Sequence, residues 1–378
     1  MTPWESCFAE AAERATEIEQ ARHLPADLAD ALAATGVFKL WVAASCGGAQ
    51  ADVQTGLDAI EDAAYHDGST GWAVMIANTT GLMSGKLPPA FAAEIFGSPR
   101  AVAGGFAAPL GTGVVHGDGI RVTGRWAWGS GSSHCTAFGG GVRAVDSDGD
   151  PAPLSGGGGL TFAFFDLEDV HFLDTWHVSG LRGSASTDYE VVDAFVPNGR
   201  WVALDTRQVA VDAPLFNYPT MGALACGVAS VAGGLGRRAI DVVVLLAAKV
   251  PQGSCRTLAE RPVVQAQVAE AEGALRAGWS FLRDAVAEAW DELESTGRAG
   301  DEQRRVLRLA AVQATRAGAR AVDLCYHAGG GTSVYETSPL QRVFRDVHVA
   351  TQHGMVADRM LEPIGRMRFG LDTNTSLL

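Results

Sequence analysis

The sequence predicts an α+β protein laid out as helices, then a compact antiparallel sheet, then helices again. Three observations carry this reading. Ala- and Glu-rich stretches with apolar residues at helical spacing fill roughly the first hundred residues. From Ala101 the period changes to short apolar alternations cut by Gly and Asp-Gly turns. After Pro214 helical spacing returns in four long tracts with short connections, the pattern of an antiparallel bundle. The boundaries are thus expected at 1–100 for an N-terminal helical domain, 101–213 for a middle β domain and 214–378 for a C-terminal helical bundle.

Each element has its own warrant. "WESCFAEAAERATEIEQARHL" reads as one helix stopped by Pro25, and Gly36 reads as the cap closing "PADLADALAATGVFKL". Further helices are expected over Asp52–Tyr65 and Ser69–Leu82. The segments from Ala101 to Val145 and from Leu160 to Val202 read as the sheet, and "DSDGDPAPLSGGGG" between them as a polar surface loop. That loop lacks the Lys-Ser/Thr and following helix a phosphate cradle needs. The bundle tracts are Met221–Val250, Arg261–Ser295, Asp301–Ala328 and Ser338–Met360.

Composition narrows the chemistry. A formal net charge of −14 disfavours phosphate backbones and anionic lipid, so neither nucleic acid nor membrane is an expected partner. The most apolar tract, Ala223–Ala248, contains Arg237, Arg238 and Asp241, which argues against a membrane span. The chain opens without a leader pattern, and its six cysteines are scattered without CxxC. A cytoplasmic protein with reduced thiols is expected. His348 and His353 are five apart, about 140° around a helix, and His66, His116, His134, His171 and His177 show no ligand spacing, so no metal is expected. "GLGRRA" (Gly234–Ala239) fits a dinucleotide pattern but lies in helical surroundings, where close helix packing is the better explanation.

"GRWAWGSGSSH" is more specific. On a regular strand Trp126, Trp128 and Ser130 share one face, and a turn at Gly131 bares backbone N–H groups. Two indoles and a hydroxyl suit the edge of a planar heteroaromatic ring; two tryptophans packed into a sheet core is the competing reading.

With these motifs on the page, the chain resembles the acyl-CoA dehydrogenase superfamily over nearly its whole length. Gly124-Arg125-Trp126-Ala127-Trp128-Gly129-Ser130 is similar to the family's flavin strand, "GLRGSASTDYEVVDAFVP" to its second β signature, and "GGTSVYETSPLQRVFRD" to its Gly-Gly…Pro…Arg-Asp signature. The resemblance implies an acyl-CoA dehydrogenase-like fold, a homotetramer, and flavin between the β domain and the bundle. Trp128, Ser130 and Gly131 would bind the cofactor, with the Ser130 hydroxyl at flavin N5, and Arg256 would meet a phosphate.

The departures matter as much. A dehydrogenase needs a carboxylate base, and the position nine residues after Arg345 is Gly354. Pro214–Arg238, where some members keep the base, has no Asp or Glu. The pattern resembles instead the two-component flavin-dependent monooxygenase branch, which the resemblance implies takes reduced FMN (or FAD) from a separate flavin reductase and uses dioxygen to hydroxylate a small, aromatic substrate. His353 would be catalytic with Ser130, donating a proton where a carboxylate would repel, with Gly354 leaving room for oxygen. Trp72 and Asn78 would line the substrate pocket. A solvated His353 and a core Trp72 remain the plainer readings. The alternatives are an FAD-dependent acyl-CoA dehydrogenase with a displaced base and a flavin-free scaffold.

Overall fold

The computed structural model describes all residues except Met1, Pro153, 155–160, 205–208 and Leu377. Part of the loop expected over 146–159 lies outside the described residues. Its beginning turns at Gly149 (φ 89°) and closes on a bridge between Val145 and Pro151. The helices are α1 (Glu5–Glu13), α2 (Ala15–Ala21), α3 (Ala26–Ala34), α4 (Val53–His66), α5 (Gly68–Gly81) and α6 (Pro89–Phe96), followed after the strands by α7 (Pro214–Asn217), α8 (Thr220–Leu245), α9 (Pro262–Thr296), α10 (Asp301–Gly329), α11 (Pro339–Thr351) and α12 (Leu361–Arg368). The strands are β1 (Ala103–His116), β2 (Gly119–Gly129), β3 (Ala137–Val145), β4 (Thr161–Phe165), β5 (His171–Leu173), β6 (Thr187–Pro197) and β7 (Trp201–Ala203). Among the described residues no helix is long and apolar enough to cross a membrane, and no group of His, Cys, Asp and Glu is placed to hold a metal.

The described residues form two compact units. The first comprises Met1–Gly56, Ile76–His177 and Arg182–Thr220, and the second Leu57–Met75, Val178–Leu181 and Met221–Leu378.

In the first unit the seven strands order as β5-β6-β2-β1-β3-β4-β7. The sheet is mixed, a correction to the antiparallel expectation: β1 and β3 run parallel from Ala103↔Ala137 to Val114↔Val145. The cause lies in the short connection after β2. It passes the start of β1, where the Thr136 N–H donates to the Val102 carbonyl at 2.7 Å and the Val102 N–H to the Thr136 hydroxyl at 3.0 Å. β3 therefore starts beside the beginning of β1 and leaves the far edge of β2 to β6. The core packs Trp126 under Tyr189 (ring centroids 5.2 Å apart, 13° between planes), and the run Gly139–Gly141 makes room for it. A Cβ on Gly140 would lie 2.6 Å from the indole. Where the β1/β3 register slips between Phe106 and Pro109, the buried Tyr189 hydroxyl accepts the Phe106 N–H at 3.0 Å and donates to the Gly139 carbonyl at 2.6 Å.

In the second unit α8, α9, α10 and α11 occupy the four expected tracts. The "GLGRRA" glycines serve packing, as expected: a Cβ on Gly234 would sit 2.2 Å from the Glu61 carbonyl, and one on Gly236 3.0 Å from Leu275. The last tract is shorter than expected. α11 ends at Thr351, and Asp358–Met360 forms a separate 3-10 turn leading into α12. The first expected helix likewise divides at Arg14, whose guanidinium holds Glu10, Glu17 and Asp27.

Candidate functional site

Trp126 and Trp128 do not share a face. β2 slips register against β6 between Trp126 and Gly129, and Trp128 adopts a left-handed backbone (φ 60°). Trp126 is therefore fully buried and donates its indole N–H to the Gly141 carbonyl, while Trp128 is turned outward and is 59% exposed. A bulky residue in this conformation costs about 1–3 kcal/mol and persists only where its surroundings hold it. Phe106 meets the Trp128 ring edge-on at 5.5 Å and steadies it. Gly131 follows at φ 82°, donating its N–H to the Ser184 carbonyl at 2.9 Å.

Ser130 is buried beyond the end of β2. Its hydroxyl meets that of Ser186 at 2.7 Å, and Ser186 meets Ser184 at 2.7 Å, a chain of three buried hydroxyls. Ser184 and Ser186 lie within the second β signature, and serines at i and i+2 are the sequence cue to a shared face. Nearby, His134 stacks on Phe38 at 5.9 Å, and burial, with His23 adding to it, pushes its pKa down to about 4. In the same unit Asn78 is fully buried, donating to the Val37 carbonyl at 2.8 Å and accepting the Trp41 N–H at 3.1 Å. It clamps the turn 37–41.

The second unit holds the other candidates. His353 lies in the turn following α11 rather than on the helix. Its imidazole meets the buried Trp72 ring edge-on, centroids 5.6 Å apart at 69°. Burial above all, then the positive charges of Arg308 and Arg359, lowers the His353 pKa to about 4. The ring is thus neutral near pH 7. Its Nδ1 accepts the Met355 N–H at 3.3 Å, which leaves the proton on Nε2. A Cβ on Gly354 would lie 2.6 Å from the far end of the flexible, exposed Arg359 side chain. Arg345 and Asp346 grip one short segment, Arg345 donating to the Ser179 carbonyl at 2.5 Å and Asp346 accepting the Leu181 N–H at 2.6 Å. Arg256 is exposed on the connection between α8 and α9.

Two histidines held neutral give an acid-sensitive fold. Their pKa values are depressed in the folded chain, so the stabilisation is present above the unfolded value of 6.5 and lost as pH falls from 6.5 toward 4. Urea unfolding should show stability falling across that window by up to about 1.4 kcal/mol per pH unit for each histidine. A flat profile in wild type would contradict both placements.

One observation bears on a cofactor: an exposed indole is presented by a strained strand end, with a buried hydroxyl two residues on, an arrangement that fits the edge of a planar ring system. Residues 5–85 match the acyl-CoA dehydrogenase N-terminal domain and 226–358 the acyl-CoA dehydrogenase C-terminal domain. The chain is 31% identical over 361 residues to indole-3-acetate monooxygenase of Pseudomonas putida, covering 94% of this chain and 90% of that one. The chain belongs to the flavin-dependent monooxygenases of the acyl-CoA dehydrogenase superfamily.

A second relative of this monooxygenase is HsaA of Rhodococcus jostii (strain RHA1), the oxygenase subunit of a flavin-dependent monooxygenase, 29% identical with 97% of each chain covered. XiaF from Streptomyces sp., solved with FADH2 and glycerol, superposes with a TM-score of 0.86 at 29% identity, covering 98% of this chain and 93% of XiaF. The monooxygenase is accordingly an oxygenase component working with reduced flavin, and the fold is acyl-CoA dehydrogenase-like without the dehydrogenase's carboxylate at Gly354.

Proposed function

We infer that this oxygenase hydroxylates a small planar aromatic molecule, of the phenol or indole class, using reduced FMN or FAD delivered by a separate reductase. The observation that carries the reading is the Trp72–His353 pair: a neutral N–H donor set edge-on against a buried indole. When bound, the reduced flavin supplies the electrons that activate dioxygen. His353 Nε2–H donates to developing negative charge on oxygen, which the Glu of a dehydrogenase would repel. The Ser130 hydroxyl would meet the flavin at N5, accepting the N–H of the reduced ring and donating its own proton to Ser186, which donates to Ser184. Trp128 and Gly131 hold the ring system, Arg256 a phosphate. Trp72 lines the substrate pocket, while the Asn78 amide is spent on the turn 37–41. The indole-3-acetate relative supports the substrate class.

The first test mixes the protein anaerobically with reduced FMN, adds oxygenated buffer, and follows flavin absorbance by stopped flow, with and without indole-3-acetate or a simple phenol. Delayed return of the oxidised spectrum, and 18O from dioxygen in the product, are expected. Immediate reoxidation together with bleaching of bound FAD by an acyl-CoA thioester would return the protein to the dehydrogenases. Trp128→Ala should weaken anaerobic binding of reduced FMN about tenfold, the scale of one stacked aromatic contact, whereas Trp128→Phe keeps most of it. Equal affinity in all three proteins would remove Trp128 from the flavin site.

The homotetramer and the cytoplasm belong to the same proposal. Val244 (55%), Leu245 (79%) and Val250 (52%) are exposed on the second unit, a surface suited to another copy. All six cysteines are free thiols, in keeping with a reducing compartment. Light scattering should give about four times the 39.4 kDa chain mass.

A further inference from the structure

Arg308 stands out among buried groups the mechanism above does not use. It lies in α10 with no exposed surface, within the apolar run "VLRLAAV". One guanidinium nitrogen, Nη1, donates to the Met355 carbonyl at 2.9 Å and meets the Met355 sulfur at 3.1 Å. The other, Nη2, donates to the Met221 carbonyl at 3.0 Å. A buried cation held by backbone carbonyls is costly and needs a reason.

Met355 supplies one. Its carbonyl is held by Arg308 while its N–H donates to His353 Nδ1 at 3.3 Å. One residue therefore links the guanidinium to the imidazole. We propose that Arg308 is a positioning residue that fixes the orientation and tautomer of His353 through Met355. The fork locks Met355, the Met355 N–H occupies Nδ1, and the ring proton is confined to Nε2.

The charge acts in the same direction. Arg308 from α10 and Arg359 from the turn before α12 both act on His353 as positive charges, and Trp72 faces it without charge. Behind Arg308 stand Arg304 and the buried Cys226 thiol. An imidazolium is disfavoured among these groups, so the ring stays a neutral donor over the working pH range. The value of this arrangement for catalysis rests on the role of His353 proposed above; the positioning itself does not.

The test uses the full-length protein without flavin, labelled with 15N-histidine and read by magic-angle-spinning NMR, with His353 assigned by its loss in His353→Gln. Wild type should show a single Nε2–H tautomer that stays neutral down to about pH 5. Arg308→Lys keeps the charge but not the fork, so both tautomers should appear while the ring remains neutral. Arg308→Met removes both, and the titration midpoint should rise by about one to two pH units. If Arg308→Met does not fold, the Lys variant still decides. An unchanged single tautomer in Arg308→Lys overturns the proposal, as does an unmoved midpoint in a folded Arg308→Met. Altered tautomers together with normal flavin reoxidation in His353→Ala would leave Arg308 as the positioning residue and refute the catalytic role of His353.

Discussion

His353→Ala is expected to shorten the delay before reduced FMN reoxidises in oxygenated buffer by at least about a hundredfold, the scale on which a positioned proton donor acts. Coupled product should fall with it, and peroxide released to solvent should rise. The argument is geometric before it is electrostatic. The ring is pinned on one side by the Met355 N–H and packed against Trp72, so only Nε2–H is left to donate. His353→Gln keeps an N–H donor and should retain part of the delay. A delay in His353→Ala equal to wild type, with FMN affinity unchanged, would assign stabilisation of the oxygen chemistry elsewhere.

The largest expected effect on stability is at Gly180. A Cβ there would stand 2.3 Å from the Arg345 carbonyl carbon and oxygen and 2.6 Å from the Asp346 nitrogen. These are backbone atoms of α11, and no rotamer change relieves the overlap. The segment Val178–Leu181 would have to lift, straining the bonds from Leu181 to Asp346 and from Arg345 to Ser179. Gly180→Ala should cost about 3 kcal/mol or more, combining overpacking with loss at a buried charge-assisted hydrogen bond. Gly273→Ala is the control, because nothing lies within 4 Å of its Cβ position in α9. It should be neutral or stabilise by up to about 1 kcal/mol. Thermal unfolding of the pair checks both, and similar midpoints for the two variants would contradict the close approach at Gly180.

The two glycines also show what a sequence discloses. Gly180 and Gly273 are indistinguishable as letters, since what separates them is a backbone distant in sequence. Periodicity, by contrast, is local, and it made α4, α5, α8, α9 and α10 legible almost to their ends. Short elements escaped it: α6, α7 and α12 are too brief to establish a period. β2 misled for another reason. Strict alternation put Trp126 and Trp128 together, but one left-handed residue reversed the second indole, and no composition signal announces a non-glycine φ of 60°. His353 is a candidate through resemblance alone, and no sequence signal marks the end of α11 two residues before it. Arg308 had a cue that went unused. A charged residue at an apolar position of a buried helix demands a partner, and its spacing alone could not name Met355.

Tyr189 carries a consequence of a different kind. Its phenol stands in for ladder bonds where β1 slips against β3, taking a proton donor from one strand and giving one to the other. A substitute at 189 must donate, accept and span the same reach. Phenylalanine keeps the ring and does neither, and serine and threonine are too short. The seam that brings β3 beside β1 is thus keyed to one amino acid, whose phenol no other side chain of the same reach replaces.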